Sequence, residues 1–219
     1  STLLSGARGQ DKRPGVIRNA QVWLGSAGTP MRDARYVPPP PGLVLDAMSD
    51  WERFANEEME MPPLVQCALL HYQFEAIHPY LDGNGRMGRV LIVLFLCAKQ
   101  VLRTPLLYLS AYFESGRQKY YDELLNVSVT GDWSRWLRYF LDGVTEQARD
   151  ALSRTRQMRE LQEEYRDLLQ ERRESGNVLR LADALFGHPY MTAPLASELL
   201  GVTNAGAHRI LDRLVALGI

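Results

Sequence analysis

Two cysteines in 219 residues are too few to staple a fold. Cys67 and Cys97 stand in apolar, helix-like stretches without metal-ligand neighbours, so they read as buried free thiols in a reducing compartment. A cytoplasmic protein is the expectation. No apolar run is long enough to cross a bilayer; the longest, "VLIVLFLCA", has the length of a core helix, and no membrane partner is expected. An excess of one charge is missing too. Lys and Arg number 25 against 26 Asp and Glu, a net charge of -1, so no global field draws in nucleic acid or an anionic membrane. No alternating β–α pattern, internal repeat or low-complexity tract is visible. What is present is the composition of a soluble globule, 46% hydrophobic and 23% charged, enough for one good-sized domain or one with a small appendage.

Residues 1–41 are rich in Gly, Pro and Arg. Within "AQVWLGSAGTPMRDARYVPPPP", the β-prone runs 22–24 and 35–37 flank a turn-rich centre, which predicts an irregular hairpin stopped by four prolines. From Leu43 helical periodicity takes over. Leu43, Ala47, Trp51 and Phe54 share one face; Pro62-Pro63 opens the next helix, with Leu64, Ala68, Leu69, Tyr72 and Ala76 as its stripe. Further helices are expected in "VLIVLFLCAKQVL", "GRQKYYDELLNV" and "DWSRWLRYFLDGVTEQARDAL". Residues 153–174 carry six arginines and six acids beside a thin apolar stripe of Met158, Leu161, Tyr165 and Leu168. That composition fits a solvated linking helix, with a dimerising coiled coil, hence a homodimer, as the alternative. Three short helices follow "ESGN". The expected domains are therefore 1–150, a linking helix 151–176 and a small helical segment 177–219. The chain opens on "STLLSGARGQ" without Met and stops at Ile219 in mid-pattern, as a piece of a longer protein would.

The stretch "HPYLDGNGRMGR" contains G-x-G-x-x-G at 83–88. A dinucleotide fold would need a preceding strand and an acid about twenty residues on; here the flanks are helical and Arg103 stands at that distance. No Gly-Lys-Ser/Thr follows, so a P-loop is excluded as well. Gly83, Asn84 and Gly85 instead lie between two helices, just before the second. Glycines with positive φ can turn successive N–H groups inward as an anion nest, and the helix adds its positive end. Arg86 and Arg89 are three apart on the first turn and can grip neighbouring phosphates. Asp82 has the wrong charge for a phosphate unless a hard cation such as Mg²⁺ or Mn²⁺ bridges them, making it the candidate metal ligand. His78 can act as a neutral base near pH 7. Each feature alone is commonly a turn or a surface charge; together within twelve residues they describe a polyphosphate site with a proton acceptor at its mouth.

These residues resemble the signature of the Fic (filamentation induced by cAMP) family, H-x-F-x-D/E-G-N-G-R-x-x-R, with Tyr80 at the usual Phe position. The likeness extends through "SGARGQDKRPGVIRNAQVWLG", "ARYVPPPP", "YFESGRQKYYDELLNV" and "GDWSRWLRYFLDGV", most of residues 5–150. It implies a mainly α fold: a Fic helical core with a small β-hairpin flap. It also implies transfer of AMP from ATP to a Ser, Thr or Tyr hydroxyl of a target protein, or of the chain itself, with release of pyrophosphate. In that scheme His78 deprotonates the hydroxyl and Asp82 holds Mg²⁺ on the α- and β-phosphates. Asn84 and the amides of Gly83 and Gly85 steady the phosphates, while Arg86 and Arg89 hold the polyphosphate tail. Tyr120 matches a nucleoside-pocket tyrosine, and Ser128 takes a pocket position that is often Asn. Leu24, Gly25 and Ser26 fall in the flap that docks the target by main-chain bonds. Members also carry an inhibitory S/T-x-x-x-E-G/N helix whose Glu pairs with the second motif arginine. Only "SAYFES", Ser110 to Ser115, approaches it and fails the last position, so Arg89 is expected to lack a matching Glu within these residues. The helix is then expected before Ser1 or from another chain.

Residues 192–219 read helix, Gly-containing turn, helix, and resemble the winged-helix tail of many bacterial Fic proteins. From Asn177 to Ile219, Arg180, Arg209 and Arg213 are balanced by Asp183, Glu198 and Asp212, so the basic footprint of a DNA reader is missing. Two rivals to the transferase stand: a DNA-binding regulator whose core only senses nucleotide, and a Fic transferase with another nucleotide donor. The intact His78 favours an enzyme.

Overall fold

The computed structural model describes residues 15–26 and 28–219, which divide into two compact units, Ser1–Arg149 and Asp150–Ile219. In the first unit α1 (Val44–Asn56) packs on α2 (Pro63–Ile77), and α2 on α3 (Asn84–Ala98). α4 (Leu109–Ser115), α5 (Arg117–Thr130) and the start of α6 (Trp133–Glu171) complete it. α2 opens at Pro63, whose missing N–H would have lacked an acceptor anyway. It buries Gln66, Cys67, Ala68, Leu70, His71, Tyr72, Phe74 and Ile77, which together go round the helix. The single stripe read from sequence is thus too narrow, because α2 is wrapped by neighbours rather than laid on a core. Trp136 is fully buried and its Nε1 donates to the Ala68 carbonyl at 3.0 Å; Trp51 does the same to Leu70 at 2.8 Å. Phe74, Phe113 and Phe140 are also fully buried, each stabilising the unit by about 1.5–3 kcal/mol. Cys67 and Cys97 are free thiols.

The expected β-hairpin flap does not form. Among the described residues there is no strand, only one isolated antiparallel bridge between Leu24 and Tyr36. The amides of Arg35 and Tyr36 both donate to the Leu24 carbonyl, so the register cannot propagate. Beyond it, the side chain of Gln21 bonds the Pro38 carbonyl at 2.9 Å where a ladder bond would run, and Pro38 to Pro41 have no N–H to offer. Between the two partners the chain bends at Gly25–Ser26 and makes a 3-10 turn at Met31–Asp33. Leu24 therefore spends its main chain on Tyr36, and Gly25 and Ser26 sit in a bend rather than a strand.

α6 runs from Trp133 to Glu171 and ends just before "ESGN", where a break was expected. Met158 and Leu161 on its charged stretch are exposed, whereas Leu169 is fully buried. The second unit joins this end of α6 to α7 (Gly176–Leu185), α8 (Ala193–Leu200) and α9 (Asn204–Ala216) around Leu169, Leu181, Ala196, Ala207 and Leu214. Thr192 and Thr203 cap α8 and α9, accepting from Leu195 and Gly206 amides, and Gly201 ends α8 at φ 67°. No wing strand is present among the described residues. Arg180 donates to the Leu199 carbonyl and Arg213 to Glu174, so two of the three arginines are turned to internal partners. No helix among the described residues is long and apolar enough to cross a membrane.

Candidate active site

The last carbonyls of a helix have no intrahelical donor. At the end of α2 they are met by side chains from the N-terminal segment. Tyr36 donates to Ala76 O at 2.9 Å, Arg18 Nη2 to Ile77 O at 3.2 Å and Arg18 Nε to His78 O at 2.8 Å. Arg18 is only 2% exposed, and its other donors reach the Ala20 and Pro39 carbonyls. Held this way, His78 caps α2 in the left-handed region at φ 51°, ψ 60°. A non-glycine residue there stores about 1–2 kcal/mol, which the clamp offsets. His78 Nδ1 is buried without a well-formed hydrogen bond. Burial pushes the ring down to about 4; Arg18 acts in the same sense, opposed by the Glu75 carbonyl and by Asp82. At neutral pH the imidazole is therefore uncharged and able to accept a proton.

The loop after His78 is closed by Asn84. Its side chain is 2% exposed, with Oδ1 accepting from Tyr80 N at 2.9 Å and Nδ2 donating to Tyr80 O at 2.8 Å. Gly83 supplies the left-handed step, φ 85°, that starts α3. Gly85 already belongs to α3, so the nest of successive turned amides expected from sequence is a helix N-terminus entered through one glycine. The first backbone bond is Met87 N to Gly83 O at 2.9 Å, so the Asn84 and Gly85 amides have no carbonyl acceptor within the helix and lie at the positive end of its dipole. Asp82 Oδ1 accepts from Gly83 N at 2.6 Å, and Oδ2 lies 3.8 Å from Arg86 Nη2.

Arg86 and Arg89 part company. Arg86 stays at the surface beside Asp82, while Arg89 folds back over Gly85, where an added Cβ would meet its Nη1 at 3.2 Å. Arg89 Nη2 is 3.5 Å from Glu114 Oε1. The expectation that Arg89 lacks a partner carboxylate in this chain is thus overturned: Glu114 is the Glu of "SAYFES", on α4. Sequence could not bring it there, because 25 residues and three turns of direction separate α3's start from α4.

Tyr120 lies behind the loop, within electrostatic reach of Glu75 and Arg89, while Ser128 sits at the surface of α5. Tyr120 is 3% exposed, stacked on Phe113 at 4.6 Å, with its hydroxyl 2.9 Å from His71 Nε2. Ser128 is exposed and bonded to the Tyr72 hydroxyl at 2.8 Å. Glu75 is the site neighbour that the sequence reading passed over. Its carboxyl is buried under the loop, Oε1 has no hydrogen-bond partner, and burial pushes it up to about 7 against the pull of Arg89. A signal did exist: His71 and Glu75 are four residues apart on a mostly apolar helix, which puts two ionisable groups on one face leading to His78. Gly88, the last glycine of the excluded G-x-G-x-x-G pattern, has a packing role: a Cβ there would fall 2.4 Å from Glu75 Oε1 and 3.2 Å from His71 and Phe74, so its bareness lets α3 approach α2. Arg18 had no signal, its partners lying 59 and 60 residues away.

Residues 4–96 match the Fic/DOC family. The chain is also similar to curated proteins: a protein adenylyltransferase fic-1 of Caenorhabditis briggsae, 32% identical over 127 residues, and a protein adenylyltransferase Fic of Culex quinquefasciatus, 33% over 130. These alignments cover 57% and 58% of this chain but 22% and 23% of the relatives, so the chain spans under a quarter of their length. A crystal structure of a Fic family protein from Desulfovibrio desulfuricans G20 superposes with a TM-score of 0.59 at 24% identity, covering 90% of this chain and 53% of that one. The helical Fic fold is therefore shared, and the Fic/DOC region contains His78, the 83–85 turn, both loop arginines and Glu75.

Proposed function

We propose that this chain transfers AMP from ATP to a Ser, Thr or Tyr hydroxyl of a protein, its own included, and releases pyrophosphate. The observation that carries the reading is the buried, uncharged His78 fixed beside the open N-terminus of α3 and two arginines. His78 takes the proton of the attacking hydroxyl; the oxygen forms a bond to the α-phosphorus, and the bond from that phosphorus to the bridging oxygen breaks, so pyrophosphate leaves. Phosphoryl chemistry of this kind needs positioning and charge neutralisation above all. The first-turn amides, Arg86 and Arg89 supply both. Asn84 contributes by bracing the loop, since its amide is committed to Tyr80. Gly25 and Ser26 are the proposed contacts for the target segment, the Leu24 main chain being closed by Tyr36. Tyr120 supports the base pocket from behind through His71, and Ser128 is proposed at its edge.

Among the described residues no group of three or more His, Cys, Asp or Glu could hold a metal. A divalent cation fits the remaining chemistry: the one carboxylate at the anion loop, Asp82, is exposed, and Mg²⁺ commonly takes one carboxylate with phosphate oxygens and water. Bound there with the nucleotide, Mg²⁺ would neutralise phosphate charge.

Incubation with cell lysate and ATP labelled at the α- or the γ-phosphate tests the reading. Label should pass to protein from the α-position only. His78→Ala should lower transfer by about 10²-fold or more while calorimetric nucleotide affinity changes little. Transfer of γ-label would make the chain a phosphotransferase, and retained transfer by the variant would remove His78 as the base.

A further inference from the structure

Glu75 is a buried acid with no role in the steps above. It lies beneath the first turn of α3, where Arg89 also lies. A Cβ on Gly85 would sit 3.2 Å from Arg89 Nη1 and 3.9 Å from Glu75 Oε1, so the two charged ends are at most about 7 Å apart by those two distances. Oε1 also backs onto Gly88, in a space that any side chain at 88 would fill. No donor reaches Oε1, so an ionised Glu75 has Arg89 as its nearby countercharge. A polyphosphate arriving at the same turn brings several negative charges to that one cation. Two anions cannot both be satisfied by it in a buried setting, and the one that can shed its charge is the carboxylate.

We infer that Glu75 is a proton-linked positioning residue of the phosphate loop: ionised, it draws Arg89 over Gly85 in the empty site; on polyphosphate binding it takes up a proton and hands Arg89 to the ligand. The inference rests on the reading of 83–89 as a polyphosphate site. His71 and His78, on its own helix, are pushed down by burial to about 3 and about 4 and stay uncharged. Arg89 of α3 is a permanent cation. Glu114 of α4 approaches from the outer side of Arg89 and is exposed. Tyr120 of α5 is held well above its usual value by burial and stays neutral. Glu75 itself is pushed up to about 7, so both of its states are within reach at working pH.

Binding should then weaken as pH rises from about 7 to about 8.5, by up to about tenfold per unit, the limit for one linked proton. The full chain is titrated with inorganic tripolyphosphate and with Mg-ATP near pH 7.5, in PIPES and in Tris, buffers of different ionisation enthalpy. Wild type should absorb up to one more proton per ligand than Glu75→Gln, and the variant's Kd should change little across this range beyond the ligand's own titration, which both proteins share. Should the variant fold poorly, the carboxyl carbon shift of Glu75 in ¹³C-labelled wild type serves instead: adding tripolyphosphate near pH 7.5 should move it to the protonated value. Equal proton uptake by both proteins, or an unchanged carboxyl shift on saturation, overturns the inference and leaves AMP transfer standing, since that is read by label. Failure of both ligands to bind overturns the inference together with the polyphosphate reading of 83–89 on which it rests.

Discussion

Two glycines of α3 look interchangeable in sequence and should behave oppositely when each is given a methyl group. An alanine at 88 would place its Cβ 2.4 Å from Glu75 Oε1 and 3.2 Å from His71 Cε1 and Phe74 Cδ1. The Glu75 carboxylate ends a flexible side chain and can shift, but the His71 and Phe74 rings are buried and packed on other rings, so overpacking costs about 1–3 kcal/mol. An alanine at 85 would meet first the free end of Arg89 at 3.2 Å, which can swing aside, and Glu75 Oε1 only at 3.9 Å. Both changes gain helix propensity of up to about 1 kcal/mol, and in the comparison that gain largely cancels. Gly88→Ala should therefore be less stable than Gly85→Ala by about 1–3 kcal/mol, roughly 2–12 °C in melting midpoint for a protein of this size. Ligand binding should show the reverse order: Gly85→Ala dislodges Arg89 and should weaken tripolyphosphate several-fold more than Gly88→Ala, measured well below the melting point. Thermal unfolding and calorimetry on the two variants suffice. A Gly88→Ala protein that melts at or above Gly85→Ala would refute the close approach of α2 and α3 through Gly88.

Acid stability follows from the same buried groups. His71 and His78 have folded values of about 3 and about 4, below the usual 6.5, so their contribution is lost as pH falls through that window; Glu75, raised to about 7, contributes below 4.5 and loses it as pH rises. Between pH 4.5 and 6.5 the unfolded chain thus holds a net one extra proton, and urea-unfolding stability should fall by about 1.4 kcal/mol per unit of acidification, steepening to about 2.7 in Glu75→Gln. A flat profile would mean the histidines are not buried uncharged. Arg18→Met strands the Ile77 and His78 carbonyls and should destabilise by about 2–4 kcal/mol in urea unfolding, with Arg18→Lys recovering only part; a change under about 0.5 kcal/mol would deny the clamp. Glu114→Gln removes a half-exposed pair, so stability should shift by less than about 1 kcal/mol while tripolyphosphate binds up to a few-fold tighter. Weaker binding would show that Glu114 orients Arg89 for the ligand instead of competing for it.

What the sequence disclosed is what lies close along it. The order His78, Asp82, Gly83, Arg86 and Arg89 spans twelve residues, and a helix end, one turn and a helix start bring them together with little help. The helices themselves were legible from their apolar period, though α2's burial on all sides was not, because a stripe count cannot see how many neighbours surround a helix. The hairpin was misjudged for a physical reason: short β-prone runs specify pairing weakly, and four prolines with a side-chain bond from Gln21 cut it to one bridge. Tyr120, assigned to a nucleoside pocket on resemblance, stacks within the aromatic cluster of Phe113 and Trp136, a neighbourhood that nothing local in the sequence announces. Glu114 and Arg18 needed the folded chain, since nothing local announces a partner on another helix.

The clamp on α2 also orders events in time. The loop from His78 to Asn84 can close from neighbouring residues, but the bond that holds the His78 carbonyl joins positions 60 apart. Drawing such a segment together costs roughly 3–4 kcal/mol of chain entropy before any contact rewards it. Helices α2 and α3 can therefore condense while the histidine's backbone is still unset, and His78, the proposed base, takes its place only when the Arg18 and Tyr36 segment docks. In refolding, helical circular dichroism should return ahead of transfer activity, and a chain nicked between Pro39 and Val44 should regain its helices far better than its chemistry.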